Sequence, residues 1–99
     1  MSQFALYRLR GGGEIVCRIQ SDLGTDTAYI LSAPVVARAG WGMPVPLLHV
    51  PVTVAGDPHL VLMTQMVALP ASELGTPIGS AEGARDDIIR AVDLLVTGF

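Results

Sequence analysis

The last twenty residues, 80–99, constrain the fold most, because they carry the long helical pattern of the chain. Ser80 is placed as an N-cap, whose hydroxyl can accept a hydrogen bond from the first turn. Asp93 and Thr97 lie on the polar face, with Leu94 on its flank. With about 3.6 residues per turn, the apolar side chains share one stripe that we expect to dock on the rest of the domain: Ile88, Ile89, Val92, Leu95, Val96 and Phe99.

The residues before this helix are typical of short strands. Segments 3–9 and 14–20 alternate apolar and polar residues around three glycines, which predicts a hairpin. Further strands are predicted at 28–32, 47–54 and 59–69, the second at a sheet edge or with a bulge because it contains Pro51. Irregular segments are expected at 34–46, where Trp41 anchors the loop or belongs to an interface, and at 71–79. Strands followed by one helix indicate a small α+β domain built on a curled antiparallel sheet.

The composition favours association with a second copy. The chain has 99 residues, 51% of them hydrophobic, and a mean hydropathy of +0.52, which is high for one small domain. A membrane span needs about 18 apolar residues in a row, and the richest stretch, 30–55, is interrupted by prolines and Arg38. The N-terminus lacks the layout of a signal peptide. We therefore expect a cytoplasmic homodimer that hides apolar surface between its copies.

Few residues suggest catalysis or metal binding. The net charge is −3 and every base is an arginine, which disfavours direct binding of nucleic acid. His49 and His59 have no further ligands at a suitable spacing, so neither a metal nor another cofactor is expected. Cys17, on a predicted strand, is interpreted as a small buried apolar residue. Ser21 and Asp22 are interpreted as a polar loop rather than part of a catalytic triad.

Several short motifs, taken in order and spacing, match one protein family. They are Gln3-Phe4 with Tyr7, the stretch 19–23, Ala33-Pro34-Val35, Pro51-Val52 followed by Gly56-Asp57, the stretch 63–70, and Asp87-Ile88-Ile89 with 94–98. Together they resemble the CcdB toxins of bacterial toxin–antitoxin pairs. The resemblance covers most of the chain and is poor only at 36–48.

This resemblance implies a fold and a function. The fold is a five-stranded antiparallel sheet with a smaller three-stranded sheet, curled like an SH3-type barrel, and a C-terminal helix. The protein would be a homodimer and not an enzyme. It would bind the A subunit of DNA gyrase and trap gyrase on cleaved DNA, until a CcdA-like antitoxin removes it. Contact with DNA would be indirect, through gyrase or the antitoxin complex, and no membrane would be involved.

The resemblance also implies a gyrase-binding surface at the end of the helix. Thr97 stands where the best-known members have a tryptophan, and Asp93 stands where they have a neutral amide. The loop after the second strand is expected to contribute as well. Carried over by position, the gyrase-binding residues are Asp93, Thr97, Gly98 and Phe99, with Leu23 and Gly24 from that loop.

Two alternatives remain open at this point. The first is an endoribonuclease of the MazF type, which shares the fold and would need arginines gathered over an RNA groove with an acid–base pair. Arg8, Arg10, Arg18 and Arg38 are the candidates, although the net charge argues against them. The second is a degenerate toxin that binds a CcdA-like antitoxin without acting on gyrase.

Overall fold

The strands and the helix follow one another in the order that the sequence indicates. The computed structural model of the protein describes residues 2–24 and 27–98. In that part of the chain, three short 3-10 turns, at Met63–Gln65, Ala71–Glu73 and Glu82–Ala84, interrupt the longer elements. The longer elements are β1 (Ala5–Leu9), β2 (Ile15–Arg18), β3 (Tyr29–Ala37), β4 (His49–Val54), β5 (Asp57–Leu62), β6 (Val67–Pro70), β7 (Leu74–Ser80) and α1 (Arg85–Val96).

Strand β3 joins two antiparallel groups of strands. Its first half, as far as Ser32, pairs with β6, and its second half, from Val35, pairs with β5. This gives a five-stranded group, β7-β1-β2-β3-β6, and a three-stranded group, β4-β5-β3. The predicted α+β fold with a curled antiparallel sheet and one C-terminal helix is confirmed. The end strands β4 and β7 do not pair with each other, so the described strands form an open sheet rather than a closed barrel.

Strand β3 is longer than the sequence predicted. The prediction ended it at residue 32 and made 34–46 irregular, which is wrong for 34–37. Pro34 sits within the strand, opposite Val16 of β2. On its other side, pairing with β6 ends at Ser32 and pairing with β5 begins at Val35. Because no strand among the described residues pairs with Pro34 on that side, the missing N–H removes no ladder bond there.

The predicted strand 59–69 is in fact two strands. Strand β5 ends at Leu62, the 3-10 turn Met63–Gln65 follows, and β6 begins at Val67. The turn places Met63, which is fully buried, in the same core cluster as Ile88 of α1. Core packing therefore overrides the local β propensity of this segment.

The segment 71–79 was predicted as irregular, which is wrong for 74–79. After the 3-10 turn Ala71–Glu73, residues 74–80 form strand β7, which among the described strands pairs with β1 alone and so lies at an edge. An edge strand tolerates Pro77, because one side of its backbone needs no partner. A Cβ added at Gly75 would clash with the carbonyl oxygen of Arg8, so this close approach of the two strands requires glycine.

The hairpin of β1 and β2 is confirmed and supplies both sides of the core. Leu6 lies opposite Cys17, and both side chains are fully buried in the main cluster beneath the helix. Tyr7 lies opposite Val16, and these two belong to a smaller cluster on the other face. Because successive strand residues point to opposite faces, one hairpin can support two clusters. Cys17 is the small buried residue that the sequence predicted.

The helix begins later than predicted. Ser80 is the last residue of β7, and its Oγ accepts a hydrogen bond of 3.1 Å from the Glu82 N–H. The prediction of Ser80 as the N-cap is wrong, because Ala81 occupies the N-cap position of the 3-10 turn Glu82–Ala84 and Ala84 that of α1, which starts only at Arg85. The Ala81 N–H donates to the carbonyl of Phe4 at 2.8 Å, which holds the chain to the sheet before the turn.

Candidate functional site

The first half of α1 anchors the helix to the body of the protein. Ile88, together with Ala91 at the middle of the helix, is fully buried in the main core cluster. The guanidinium carbon of Arg85 lies 5.5 Å from the centre of the Phe4 ring, a cation–π contact at the start of the helix. These contacts fix the direction in which the rest of the helix leaves the sheet.

The second half of α1 is exposed, which corrects the prediction that the whole apolar stripe docks. Val96 is 71% exposed and Leu95 40%, and Ile89 of the first half, also in the predicted stripe, is 36% exposed. Leu94, expected on an exposed flank, is half-buried. The side chains of α1 that pack against the main core are Ile88, Ala91 and the half-buried Val92. The predicted stripe therefore docks at Ile88 and Val92, but not at Ile89, Leu95 or Val96.

The end of the helix is closed by its own hydrogen bonds. The carbonyl of Asp93 accepts from the Thr97 N–H at 2.8 Å, from the Thr97 hydroxyl at 2.8 Å and from the Gly98 N–H at 3.1 Å. The Gly98 N–H also lies 3.1 Å from the carbonyl of Leu94, and Gly98 has φ of +82°, as in a left-handed C-cap. The cap therefore holds the last described residues in a defined conformation.

The predicted gyrase-binding residues divide into two places. Asp93, Thr97 and Gly98 are exposed and joined by the cap, and with Val96 we call them the helix tip. Leu23 and Gly24 are exposed on the loop after β2, where no hydrogen bond among the described residues ties them to the helix tip. Phe99 lies outside the described residues.

Arg18 holds the β2–β3 loop from within. It is only 7% exposed, and its guanidinium donates to the carbonyls of Gln20 and Ser21, both at 2.9 Å. Its Nη2 also lies 3.6 Å from a carboxylate oxygen of Asp22. The Ser21-Asp22 pair is thus part of a loop built around an arginine, as its interpretation as a polar loop implied. Leu23, next to this pair, is 58% exposed.

Sequence reasoning missed Val96 as a candidate surface residue. Its helical position placed it in the stripe expected to dock, yet it is the most exposed apolar side chain of α1. Periodicity gives the face on which a residue lies, but not where along the helix the supporting sheet ends. The one signal in the sequence is the position of Val96 beside the C-cap.

The arginines considered for an RNA groove serve separate loops. Arg8 donates to the carbonyl of Gly13 at 2.9 Å, and Arg38 donates to the carbonyl of Gly42 at 3.1 Å. Arg18 is committed to the β2–β3 loop. Burial raises the pKa of Cys17 to about 12, so its sulfur stays a thiol at neutral pH and is a poor nucleophile.

Within residues 2–24 and 27–98, no cluster of three His, Cys, Asp or Glu side chains has the geometry to hold a metal ion. His49 and His59 instead make local contacts with the backbone. In the same part of the chain, no helix has the length and apolar character needed to cross a membrane.

The fold and the tip define a small α+β protein with an exposed, well-capped helix end. The family profile described as "CcdB protein" matches residues 3–98, so the chain belongs to the CcdB family. The chain is accordingly a toxin of a toxin–antitoxin pair. A search of curated protein sequences found no match.

Proposed function

We propose that this toxin acts without catalysis, as a homodimer that binds the A subunit of DNA gyrase and traps gyrase on cleaved DNA. A CcdA-like antitoxin releases it, and DNA is contacted only through gyrase or the antitoxin complex. The observation that carries the proposal is the helix tip, where Asp93, Val96, Thr97 and Gly98 are all exposed on a capped helix end.

The cap favours binding because it orders the tip before the partner arrives. Immobilising a side chain on binding costs about 0.5–1.5 kcal/mol, and pre-organisation reduces that cost. The three hydrogen bonds to the Asp93 carbonyl satisfy the backbone internally. The tip can therefore offer its side chains to a partner without first leaving backbone groups unpaired.

Exposed apolar side chains outside the helix tip support the proposed dimer. Leu95 lies on α1, and Tyr29, Leu31 and Val67 lie on β3 and β6. Large exposed apolar surface on a small domain marks an interaction site. A two-fold dimer would present two tips to a target with its own two-fold symmetry, since isologous surfaces repeat on both copies.

The test is a gyrase cleavage assay with matched variants. Purified wild-type protein is expected to increase linear plasmid in the presence of gyrase and ATP. Thr97→Arg should reduce this effect at least tenfold, because a central contact contributes about 2 kcal/mol or more. Thr76→Arg, the same change at an exposed position of β7, should leave it intact. Light scattering checks that both variants remain dimers.

Three results would contradict the proposal in different ways. Gyrase poisoning would be excluded if high concentrations of the wild-type protein left plasmid cleavage by gyrase unchanged. Specific cleavage of total RNA would favour an endoribonuclease. Tight binding of a CcdA-like peptide with no effect on gyrase would identify a degenerate toxin.

The departure at Thr97 allows a gain-of-function test. The resemblance places a tryptophan at this position in the best-known members, and a buried tryptophan is among the strongest interface contacts. Thr97→Trp should therefore lower the concentration needed for gyrase cleavage, by roughly tenfold or more if it contributes about 2 kcal/mol. A tryptophan at 97 that leaves the dose response unchanged would show that the tip does not contact gyrase.

A further inference from the structure

The loop between β3 and β4, residues 38–48, meets the outer face of the small three-stranded group. Leu60 and Leu62 are only 1% and 2% exposed, and Val61 between them faces the main core on the opposite side of the sheet. Pro44 of the loop lines a cavity together with Leu60. His49 lies opposite Leu62 in the β4–β5 ladder and so shares its face. The loop therefore meets the apolar outer face at Pro44, and His49 stands on that same face.

His49 is the residue that closes this loop. Its Nδ1 accepts a hydrogen bond of 3.0 Å from the Val45 N–H, and its own backbone N–H donates to the Val45 carbonyl at 2.9 Å. The Trp41 ring meets the imidazole edge-on, with centroids 5.7 Å apart and planes at 74°. Because a backbone N–H can only donate, Nδ1 must carry no proton, and the ring proton of neutral His49 belongs on Nε2.

Protonation of His49 would break this arrangement. An imidazolium has N–H groups at both ring nitrogens, so Nδ1–H would face the Val45 N–H and leave that donor unpaired. Histidine is the side chain whose charge ordinarily changes between about pH 5 and about pH 8. The closed loop thus accommodates one protonation state of the ring and not the other.

The charged neighbours of His49 oppose each other. Asp87 and Arg90 of α1 line the same cleft as His49, a space of about 170 Å³. The carboxylate of Asp87 favours an imidazolium and the guanidinium of Arg90 disfavours it, and their nearest atoms lie 3.5 Å apart. The loop contributes Trp41 and β5 contributes Leu62, neither of which is charged. The bond from Val45 is therefore the decisive contact.

We propose that His49 is a pH-sensitive latch. When its ring takes up a proton, His49 loses the bond from Val45 and releases the 38–48 loop. While the ring is neutral, the loop stays closed. The latch is independent of gyrase binding and can be tested on the protein alone.

The full chain is studied by NMR between about pH 8 and about pH 5, the range in which histidine titrates. At the upper pH, the imidazole ¹⁵N shifts of His49 should show the Nε2–H form. On acidification, the protection of the Val45 amide from exchange should fall about tenfold, equivalent to about 1.4 kcal/mol. Emission from Trp41, the one tryptophan in the chain, should change in the same transition.

Three variants separate the latch from general acid sensitivity. His49→Asn keeps an acceptor near the Nδ1 position and cannot titrate in this range, so the loop should stay closed at both pH values. His49→Phe has no acceptor, so the Val45 amide should be poorly protected at both. His59→Asn removes the other histidine and should leave the response intact.

The latch is excluded if the response survives in His49→Asn or disappears in His59→Asn. It is equally excluded if His49 carries its proton on Nδ1 at the upper pH, if Val45 protection does not change, or if all amides lose protection together. If His49→Phe fails to fold, the comparison of His49→Asn with His59→Asn is sufficient to test the latch.

Discussion

The two halves of helix α1 have similar apolar residues and different surroundings. Ile88 in the first half is fully buried, as is Ala91 at the middle of the helix, whereas Leu95 and Val96 in the second half are 40% and 71% exposed. The difference lies in which side chains reach the main core cluster, not in residue type. The buried half stabilises the fold, and the exposed half is free for a partner.

The charges of the helix differ in the same way. Asp86 and Asp87 lie in the first turn, where the helix dipole favours negative charge. Asp93 lies near the other end, and no basic residue occupies the last turn, so the dipole there is uncompensated. The buried half thus follows the rules for a stable helix, and the helix tip departs from them. Such a departure is expected at a functional surface.

The largest contrast should come from truncating one residue in each half. Ile88→Ala should lower the free energy of unfolding by about 2–5 kcal/mol, because it opens a cavity in the main core. Val96→Ala, at an exposed position, should change it by no more than about 0.5 kcal/mol. Urea denaturation of both variants measures the difference. Equal losses in the two variants would show that Val96 is buried in the folded protein, for example in the dimer.

Alkaline pH should lower the stability of the folded protein, because the Cys17 thiol is buried. Its pKa is raised from 9.0 to about 12 by burial, so between these values the unfolded chain loses the thiol proton and the folded chain keeps it. Stability is therefore fully present below about pH 9 and falls as pH rises towards about 12, by roughly 1 kcal/mol per pH unit.

Denaturation curves at several alkaline pH values measure this slope, with Cys17→Ala as the control. The alanine variant should be less stable throughout but should show a shallower dependence on pH, because it has no thiol to ionise. Parallel slopes for the two proteins would mean that Cys17 does not remain protonated in the folded state.

A smaller effect is expected at the cap of the exposed half. Gly98 has φ of +82°, so a side chain there should lower the stability of the cap by about 1 kcal/mol. The loss is no larger because the last turn can fray and relieve the strain. Gly98→Ala should therefore increase exchange at the Thr97 amide and weaken binding at the tip. Gly83→Ala is the matched control, since a Cβ at Gly83 meets open space. The same exchange rate at Thr97 in both variants would mean that Gly98 does not hold the cap.

The smallest effect should be a gain in stability at Asp93. Asp93→Asn removes a negative charge from the C-terminal part of the helix, which should stabilise it by about 0.3–1 kcal/mol at low salt. Thermal unfolding at low and high salt measures the gain, which should shrink as salt screens the dipole. Asp86→Asn, in the first turn, should have the opposite sign. A loss of stability in Asp93→Asn would reveal a favourable contact of this carboxylate.

A strand or helix could be predicted from the sequence where the contacts that form it are local. The β1–β2 hairpin and the presence of α1 follow from alternation, a glycine turn and helical periodicity, all of which act within a few residues. Strand β7 was missed because Gly75 and Pro77 argue against a strand locally. It forms because the edge of β1 offers backbone partners far away in the sequence.

The candidate site likewise contains residues that the sequence identified and a residue that it missed. Asp93, Thr97 and Gly98 were identified through the family resemblance, and the structure places all three on one exposed helix end. Val96 was assigned to the buried stripe, since periodicity cannot show where the sheet stops. The place of Leu23 and Gly24 in a shared surface with the tip remains a prediction.

The sequence by itself determined the fold class, the hairpin, the helix and the burial of Cys17, because patterns of apolar residues and turn glycines set these locally. The tertiary structure alone decided that Pro34 lies within a strand, that Gly75 belongs to an edge strand, and that α1 is buried at its start and exposed at its end. These features depend on which distant backbone or side chain lies alongside each residue. That is a property of the assembled sheet, and no short stretch of the chain contains it.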